Sequence, residues 1–423
     1  MSLTFRRVLF AFFSFLFLIA GSVIVLYGLG WRINWEDFQL QKTGAIAVKT
    51  NPRGVIIKLD NKKYADESSI IQNHTLISDL TPKTYFLTVE KDGFRTYQKK
   101  LKIKPSMVET VDIFLVPDKI KEETGVSSLK GDSIIDVSAD SQKIITKTSV
   151  NGNYYLYNLQ NPKSALNIRV LATNLTGFTE IKKALFVPFD SNQILIETKS
   201  GIEILDVSRS QIEKLIDGKV ALWNLYGSTI YFIKAKTGES GSFSVFSYNL
   251  IFKTQNKIFD IASSTVKSPL VDLKTSGQGR VAFLDSSQSL YLFSGGGLVE
   301  KIADSAKFFA FSPNNKALAF LDNDGTINIF FIDGWEQVFR KKDGAISRFD
   351  LPSKQNFTKL FWYEDSLRIF TVQKNKVSLT EIDERPPLNY YEIETEIDDF
   401  LYSNSAFAYI IKNNNLQKLT LQE

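Results

Sequence analysis

Cysteine is absent from this 423-residue sequence, and histidine occurs once, at His74. Their scarcity removes disulfides, thiolate nucleophiles and every Cys/His metal cluster from the chemistry available. No G-x-S-x-G elbow exists to pair with His74, so the turn IQNHTL around it reads as an exposed loop. A strong charge of either sign is also missing. The formal net charge is +5, far from the basic footprint of a nucleic-acid binder. Long polar tracts are lacking as well, and 43% hydrophobic with 13% aromatic residues is ample for a packed core.

The small excess of positive charge is unevenly placed. Residues 42–117 carry thirteen Lys/Arg against eight Asp/Glu, residues 1–41 carry a net +1, and the remaining 306 residues carry −1. Residues 8–30 hold no charge across 23 positions. At about 1.5 Å per residue such a run crosses a ~30 Å hydrocarbon layer. Arg6 and Arg7 precede it, and Tyr27, Trp31 and Trp35 stand at its far end like an interfacial aromatic belt. The positive end stays cytoplasmic, which leaves residues 1–7 inside and everything after Trp31 outside. Ala20-Gly21-Ser22 would satisfy the small-residue rule for signal cleavage. Cleavage there would leave VIVLYGLGW as an apolar new N-terminus, so an uncleaved signal-anchor is expected. The paired arginines lack the flanks of a twin-arginine signal, because Phe5 and Val8 surround them. Residues 31–43 read as a juxtamembrane linker.

Downstream the chain repeats itself. FSPNNKALAFLDNDGTINIFFIDG, residues 311–334, contains two strand-like runs around the turn Asn323-Asp324-Gly325. An Asp-Gly turn between such runs is the strongest short-range hairpin signal. Related units begin at Val137, Val187, Leu225, Ser276, Phe361 and Leu401, making seven. Their spacing of roughly 35–50 residues suits four-stranded propeller blades. The unit at Ser312–Ile329 resembles the WD40-like and TolB-type propeller repeats, and the other six share its pattern. A seventh unit that stops at its third strand would leave an open edge. The spare strand is expected from residues 119–128, and NIRVLAT, EKLID and KIFDIAS read as outer strands of the first three units.

Residues 44–117 form a separate β-rich block. GAIAVKT, GVIIKLDN, TYFLTVEKDGF, KKLKI and VDIFLVP read as strands with period-two alternation. TNPRGVIIKLDNKKY, with Pro52-Arg53-Gly54-Val55, and LTPKTYFLTVEKDGF at Leu80–Phe94 resemble the two signatures of the PEGA domain. Lys83 stands where that family usually has glycine. The resemblance implies a small β-sandwich of bacterial and archaeal envelope proteins, an extracytoplasmic adhesion or scaffold module without catalytic residues. Gly54 and Gly93 are expected at turns that tolerate a side chain poorly.

Other constellations carry little chemistry. Asp322-Asn323-Asp324-Gly325 has its glycine too early for a calcium loop and reads as a hairpin turn. Ser294-Gly295-Gly296-Gly297 is followed by strand and not helix, so it reads as a loop and not a phosphate cradle. Lys100, Lys102 and Lys104 project from one face of a strand whose other face holds Leu101 and Ile103. They suit contact with an anionic surface, or protection of an edge strand. The aromatic runs suit lipid contact in the first 30 residues and blade cores later.

The expected fold class is therefore all-β apart from one N-terminal transmembrane helix: a PEGA-like β-sandwich (44–117) followed by a seven-bladed β-propeller (118–423). The expected protein is a single-pass cell-membrane protein, its bulk extracytoplasmic. It would act as a binding or scaffold protein whose partner is an envelope protein or cell-wall glycan. No nucleic acid, metal or cofactor is expected. The alternative is a propeller hydrolase or lyase acting on envelope polysaccharide or peptide through Asp/Glu residues.

Overall fold

The computed structural model describes residues 3–34, 39–68, 73–162, 164–177, 180–239, 241–352, 356–403 and 407–421. Its N-terminal helix runs Leu3–Gly28, with 24 residues from Phe5 long and apolar enough to cross a membrane. The helix begins ahead of the uncharged run and takes in Arg6 and Arg7. It stops short of Gly30, which adopts a φ of +80° that no helical residue can hold. The segment expected as a linker is instead a strand pair, Trp31–Asn34 against Gln39–Lys42. Arg32 ties this pair to the helix and to the block beyond. Its guanidinium lies 3.4 Å over the Tyr27 ring, donates to Tyr27 O at 2.7 Å and to Asp79 at 2.7 Å.

Residues 44–116 form a sandwich of two sheets. One has the order Thr75–Leu80, Gly44–Asn51, Val108–Phe114, the second pair being parallel. The other has the order Lys62–Ala65, Ile56–Leu59, Thr84–Glu90, Tyr97–Lys102. Strict alternation of buried and exposed positions along Gly44–Asn51 puts Ile46 and Val48 inside, against Ile57, Leu87, Val89, Leu101 and Val111. Lys62–Ala65 and Thr75–Leu80 went unread in the sequence. The first is a polar edge strand whose sole large apolar side chain is Tyr64, so it lacks the alternation that marks a strand.

Seven four-stranded antiparallel sheets follow among the described residues. Their first strands are Ser133–Val137, Lys183–Val187, Leu222–Tyr226, Leu270–Thr275, Ala306–Phe311, Phe357–Trp362 and Asp399–Tyr402. Each first strand adjoins the next, and the seventh meets the first again, so the sheets form a circuit. The seventh sheet takes its fourth strand from Lys121–Val126, which pairs antiparallel with Asn415–Thr420. Residues 213–217 and 257–261 lie in outer strands. NIRVLAT does not. After a three-residue outer strand, Ile168–Thr176 is a helix, capped by Asn167 accepting from Val170 N and closed by Gly177 at φ +76°. The β-branched residues of that segment suggested a strand, but the Asn and Gly at its ends supply both helix caps.

Candidate functional site

Two places gather polar side chains where the fold holds them rigidly: the axis of the sheet circuit, and the junction between the sandwich and the sixth sheet.

At the axis, four of the seven first strands bulge near their start. Register shifts fall just before Asp136, Asp272, Phe308 and Lys359. A bulge re-aims the side chain that follows it. Asp272, Phe308 and Lys359 all line one cavity of about 420 Å³, together with Lys274, Ile134 and Leu401. That cavity draws its walls from five of the seven first strands. Side chains also stitch neighbouring strands together. Asp399 accepts from Ile134 N at 2.7 Å and pairs with Lys359 at 2.7 Å. Asp136 accepts from Phe186 N at 2.8 Å, and Lys183 donates to Trp223 O at 2.6 Å. Asn224 donates to Thr275 at 3.1 Å, and Trp362 to Ala310 O at 2.9 Å. Away from the axis, Arg280 links the fourth and fifth sheets through their turns, reaching Asn315 O at 2.6 Å and both oxygens of Asp333 at 2.8 Å.

The chemistry of this axis is mixed-charge, three aspartates (136, 272, 399) among three lysines (183, 274, 359). Burial pushes the Asp136 carboxyl up to about 6, against the bonds from Phe186 and Val137 and the charge of Lys183. Burial takes the Lys183 ammonium down to about 8, helped by the charge of Lys274. Both shifts arise from desolvation of the charged form. Both Asp136 oxygens nevertheless accept backbone N–H bonds, from Phe186 and Val137.

The junction is built on the loop 382–389 of the sixth sheet. It enters the open side of the sandwich, between edge strands Tyr97–Lys102 and Val108–Phe114. Lys100 N donates to Pro386 O at 2.6 Å, and Asn389 donates to Gln98 O at 3.2 Å. On the other edge, Arg385 donates to Thr110 O at 3.0 Å and Arg368 to Asp112 O at 2.7 Å. Loop and arginines thus blunt two edges that would otherwise be free to pair. At the centre Lys99, 0% exposed, meets Glu381 at 2.7 Å. Glu381 also accepts from Tyr97 at 2.9 Å and Asn389 at 2.8 Å. Burial and the Glu381 charge raise the Tyr97 hydroxyl, so it stays a donor. Burial opposes the charge of Arg368, but Asp365, Glu381 and Asp112 outweigh it. Phe114 and Val116 add an apolar contact, packing with Tyr363, Phe370, Phe400 and Tyr402.

The residues expected to matter from the sequence lie elsewhere. Lys100 and Lys102 occupy the exposed face of their strand, and Lys104 is exposed beyond its end. Arg6 and Arg7 are exposed on the helix, Trp31 opens the strand pair at its end, and Trp35 falls outside the described residues. Gly54, Gly93 and Gly325 have φ of +72°, +80° and +77°. Pro52 precedes the Gly54 turn, whose N–H donates to Asp66 at 2.7 Å. Asp322 accepts from Asp324 N and Thr326 N, fixing the Gly325 hairpin. His74 is half-buried, beside Asn73 at 3.1 Å, and not exposed as its polar neighbours suggested. Lys99 was missed, although a signal existed: it is in phase with Leu101 and Ile103, on the face that should be apolar.

Comparison with known proteins agrees with this division. Residues 43–119 match the PEGA domain. No curated protein matches the chain. Among solved structures, a chain of a mitotic checkpoint complex, with a WD40-like propeller, aligns at 14% identity and TM-score 0.50. The alignment covers 73% of this chain and 92% of that one. PorZ, a surface component of the type-IX secretion system of Porphyromonas gingivalis, aligns at 13% identity and TM-score 0.44. Here 71% of this chain covers 39% of PorZ. The first likeness concerns fold alone: the chain is mostly β, with a propeller-like region after its PEGA domain.

Proposed function

We propose that this protein is a membrane-anchored, extracytoplasmic scaffold of the cell envelope. In this reading the seven sheets are the blades of one seven-bladed propeller, and that propeller is a recognition platform for an envelope protein or glycan. The observation that carries the reading is the junction. A buried Lys99–Glu381 pair and arginines on two sandwich edges hold the propeller-like region in one fixed attitude to the PEGA domain. Fixed attitude is what a presenting scaffold requires, because each freely swinging joint would add an ordering cost on binding. Phe189, Ile251, Phe252 and Leu298 offer exposed apolar contacts at loop tips, 57–80% accessible. They come from connections on the same side of the sheets as the loop 382–389.

The test uses single cysteines in a chain that has none of its own. A photo-crosslinker at Leu298 should capture one defined envelope protein or glycan in intact wall-stripped cells, while one at Val150, on the opposite side, should not. Equal capture from both, or none, overturns the platform. Protection of both positions from an impermeant maleimide overturns the outward orientation. The hydrolase reading would place its chemistry at the axial cavity, where the Asp272 carboxylate lies among Lys274 and Lys359. Turnover of envelope polysaccharide that Asp272→Asn abolishes, in a variant that keeps its melting curve, would establish it.

A further inference from the structure

We propose that the base of the PEGA domain is a lipid-contacting rim: Met107 and Val108 enter the headgroup layer, and Lys42 and Lys104 meet anionic phospholipid headgroups. The inference rests on the helix Leu3–Gly28 being a membrane anchor. The path from that helix to the rim is short and fully bonded. Gly30 O accepts from Thr43 N at 2.9 Å and from Thr43 Oγ1 at 3.0 Å. Thr43 O accepts from Ser106 N at 2.9 Å, and Met107 O accepts from Ala45 N at 2.9 Å. Two lateral backbone steps of about 4.8 Å each therefore separate the turn 104–107 from the helix exit. The turn is wedged in place. A Cβ on Gly44 would stand 2.5 Å from Lys104 O and 2.9 Å from Met107 O, so only glycine lets the turn approach this closely.

Depth follows from length. About 20 helical residues cross the hydrocarbon, and the headgroups add about 5 Å or more on each side. Counted from Arg7, the hydrocarbon ends near Tyr27, three residues before Gly30. The strands Gly44–Asn51 and Val108–Phe114 are parallel and begin together, with Ala45 opposite Val108. Met107 and Val108 thus share the level of Gly30 and Thr43, within the headgroup layer.

The side chains suit that level. Met107 is 53% and Val108 58% exposed, an apolar pair otherwise left in water. Lys42 and Lys104 are exposed beside them. The Lys42 ammonium lies 5.6 Å from the Trp31 ring, an aromatic of the kind that settles at interfaces. The lysine stripe divides accordingly. Lys100 sits at the junction, where its N–H meets Pro386, and only the Lys104 end reaches lipid. Anionic headgroups attract such lysines over roughly a Debye length.

The experiment uses the full chain in lipid nanodiscs. Spin labels on Phe17→Cys, Met107→Cys and Val150→Cys report depth through their accessibility to oxygen and to an aqueous nickel chelate. The expected result is Phe17 deep, Met107 at headgroup depth and Val150 aqueous. Phosphatidylglycerol in place of phosphatidylcholine should draw the Met107 label deeper, and Lys42→Gln with Lys104→Gln should abolish that shift. A Met107 label as aqueous as Val150, with Phe17 immersed, overturns the rim and leaves the anchor standing. An aqueous Phe17 overturns the anchor, and the rim with it. Equal immersion of Met107 in both lipids overturns the lysine–headgroup contact.

Discussion

Two closures hold distant parts of this chain together, and they use different groups. The strand Lys121–Val126 completes the seventh sheet through its backbone, pairing with residues near 420. The PEGA domain closes onto the sixth sheet chiefly through side chains: Lys99, Arg368, Arg385 and Glu381. Backbone pairing tolerates most side chains, so its loss requires losing the strand. The side-chain closure has a buried charge at its centre and fails at one residue. The first is robust and generic, the second specific and brittle.

The largest effect should come from removing the backbone closure. A chain beginning at Gly131 loses Lys121–Val126 along with Val126 and Leu129, 1% and 3% exposed. At about 1.5–3 kcal/mol for each buried side chain, plus the pairing, it should be at least about 4 kcal/mol less stable to urea than a chain beginning at Asp118. Equal midpoints would show that the seventh sheet stands without its fourth strand.

The side-chain closure should break next. Lys99→Ala leaves Glu381 buried without its cation and should cost about 3–5 kcal/mol. Calorimetry of the full chain should then show a separate, earlier transition for the PEGA domain. Lys99→Met combined with Glu381→Leu should cost less than the single change. If the single change leaves one unaltered transition, the junction is not held by this pair.

The two regions should also differ in the sign of their response to pH. Burial works against the Asp66 carboxyl, but bonds from Ser68, Gly54 and Thr75 prevail and hold it at about 2. A lowered folded value stabilises above the unfolded pKa and is lost as pH falls, here from about 4 towards 2. Asp66→Asn should remove that window and cost about 1–2 kcal/mol at neutral pH once solvent screening is allowed for. Asp136 behaves oppositely. With its folded value raised to about 6, its favourable contribution is present below pH 4 and lost between about 4 and 6. Asp136→Asn should flatten that interval, a change of up to about 3 kcal/mol. Unfolding titrations in which either variant keeps the parent slope would remove that aspartate from the account.

The smallest effect belongs to a turn. Gly93 holds φ +80° with open space around its α-carbon, so a side chain there meets strain and no clash. Gly93→Val should lower the PEGA domain's stability by about 1–2 kcal/mol. An unchanged melting curve would mean the turn relaxes to another type.

How much of this was legible depended on whether the signal was local. Hairpins announced themselves through Asp324-Gly325 and period-two runs, and a missing seventh outer strand directed attention to residues 119–128. The helix Ile168–Thr176 was not legible as such, because its residues favour strand and its caps lie outside them. The junction was the least visible. Tyr97 and Lys99 meet Glu381 across 284 and 282 positions, and nothing local in KKLKI says what a lysine on the apolar face will meet. Phase alone marked it as anomalous. The axial bulges were equally hidden, since a shifted register leaves no trace in a pattern of apolar residues.

The place of the closing strand in the chain has a consequence for biosynthesis. Lys121–Val126 is made long before its partner Asn415–Thr420. At roughly 5–20 residues per second, some 300 intervening residues take about 15–60 s to synthesise. Throughout that time the early strand has an unpaired edge, and Lys99 lacks Glu381 until almost the same moment. Both closures therefore fall due within the same short stretch of synthesis. A nascent chain halted before residue 415 should remain sensitive to protease at residues 118–131, whereas a chain that includes residues 415–420 should resist.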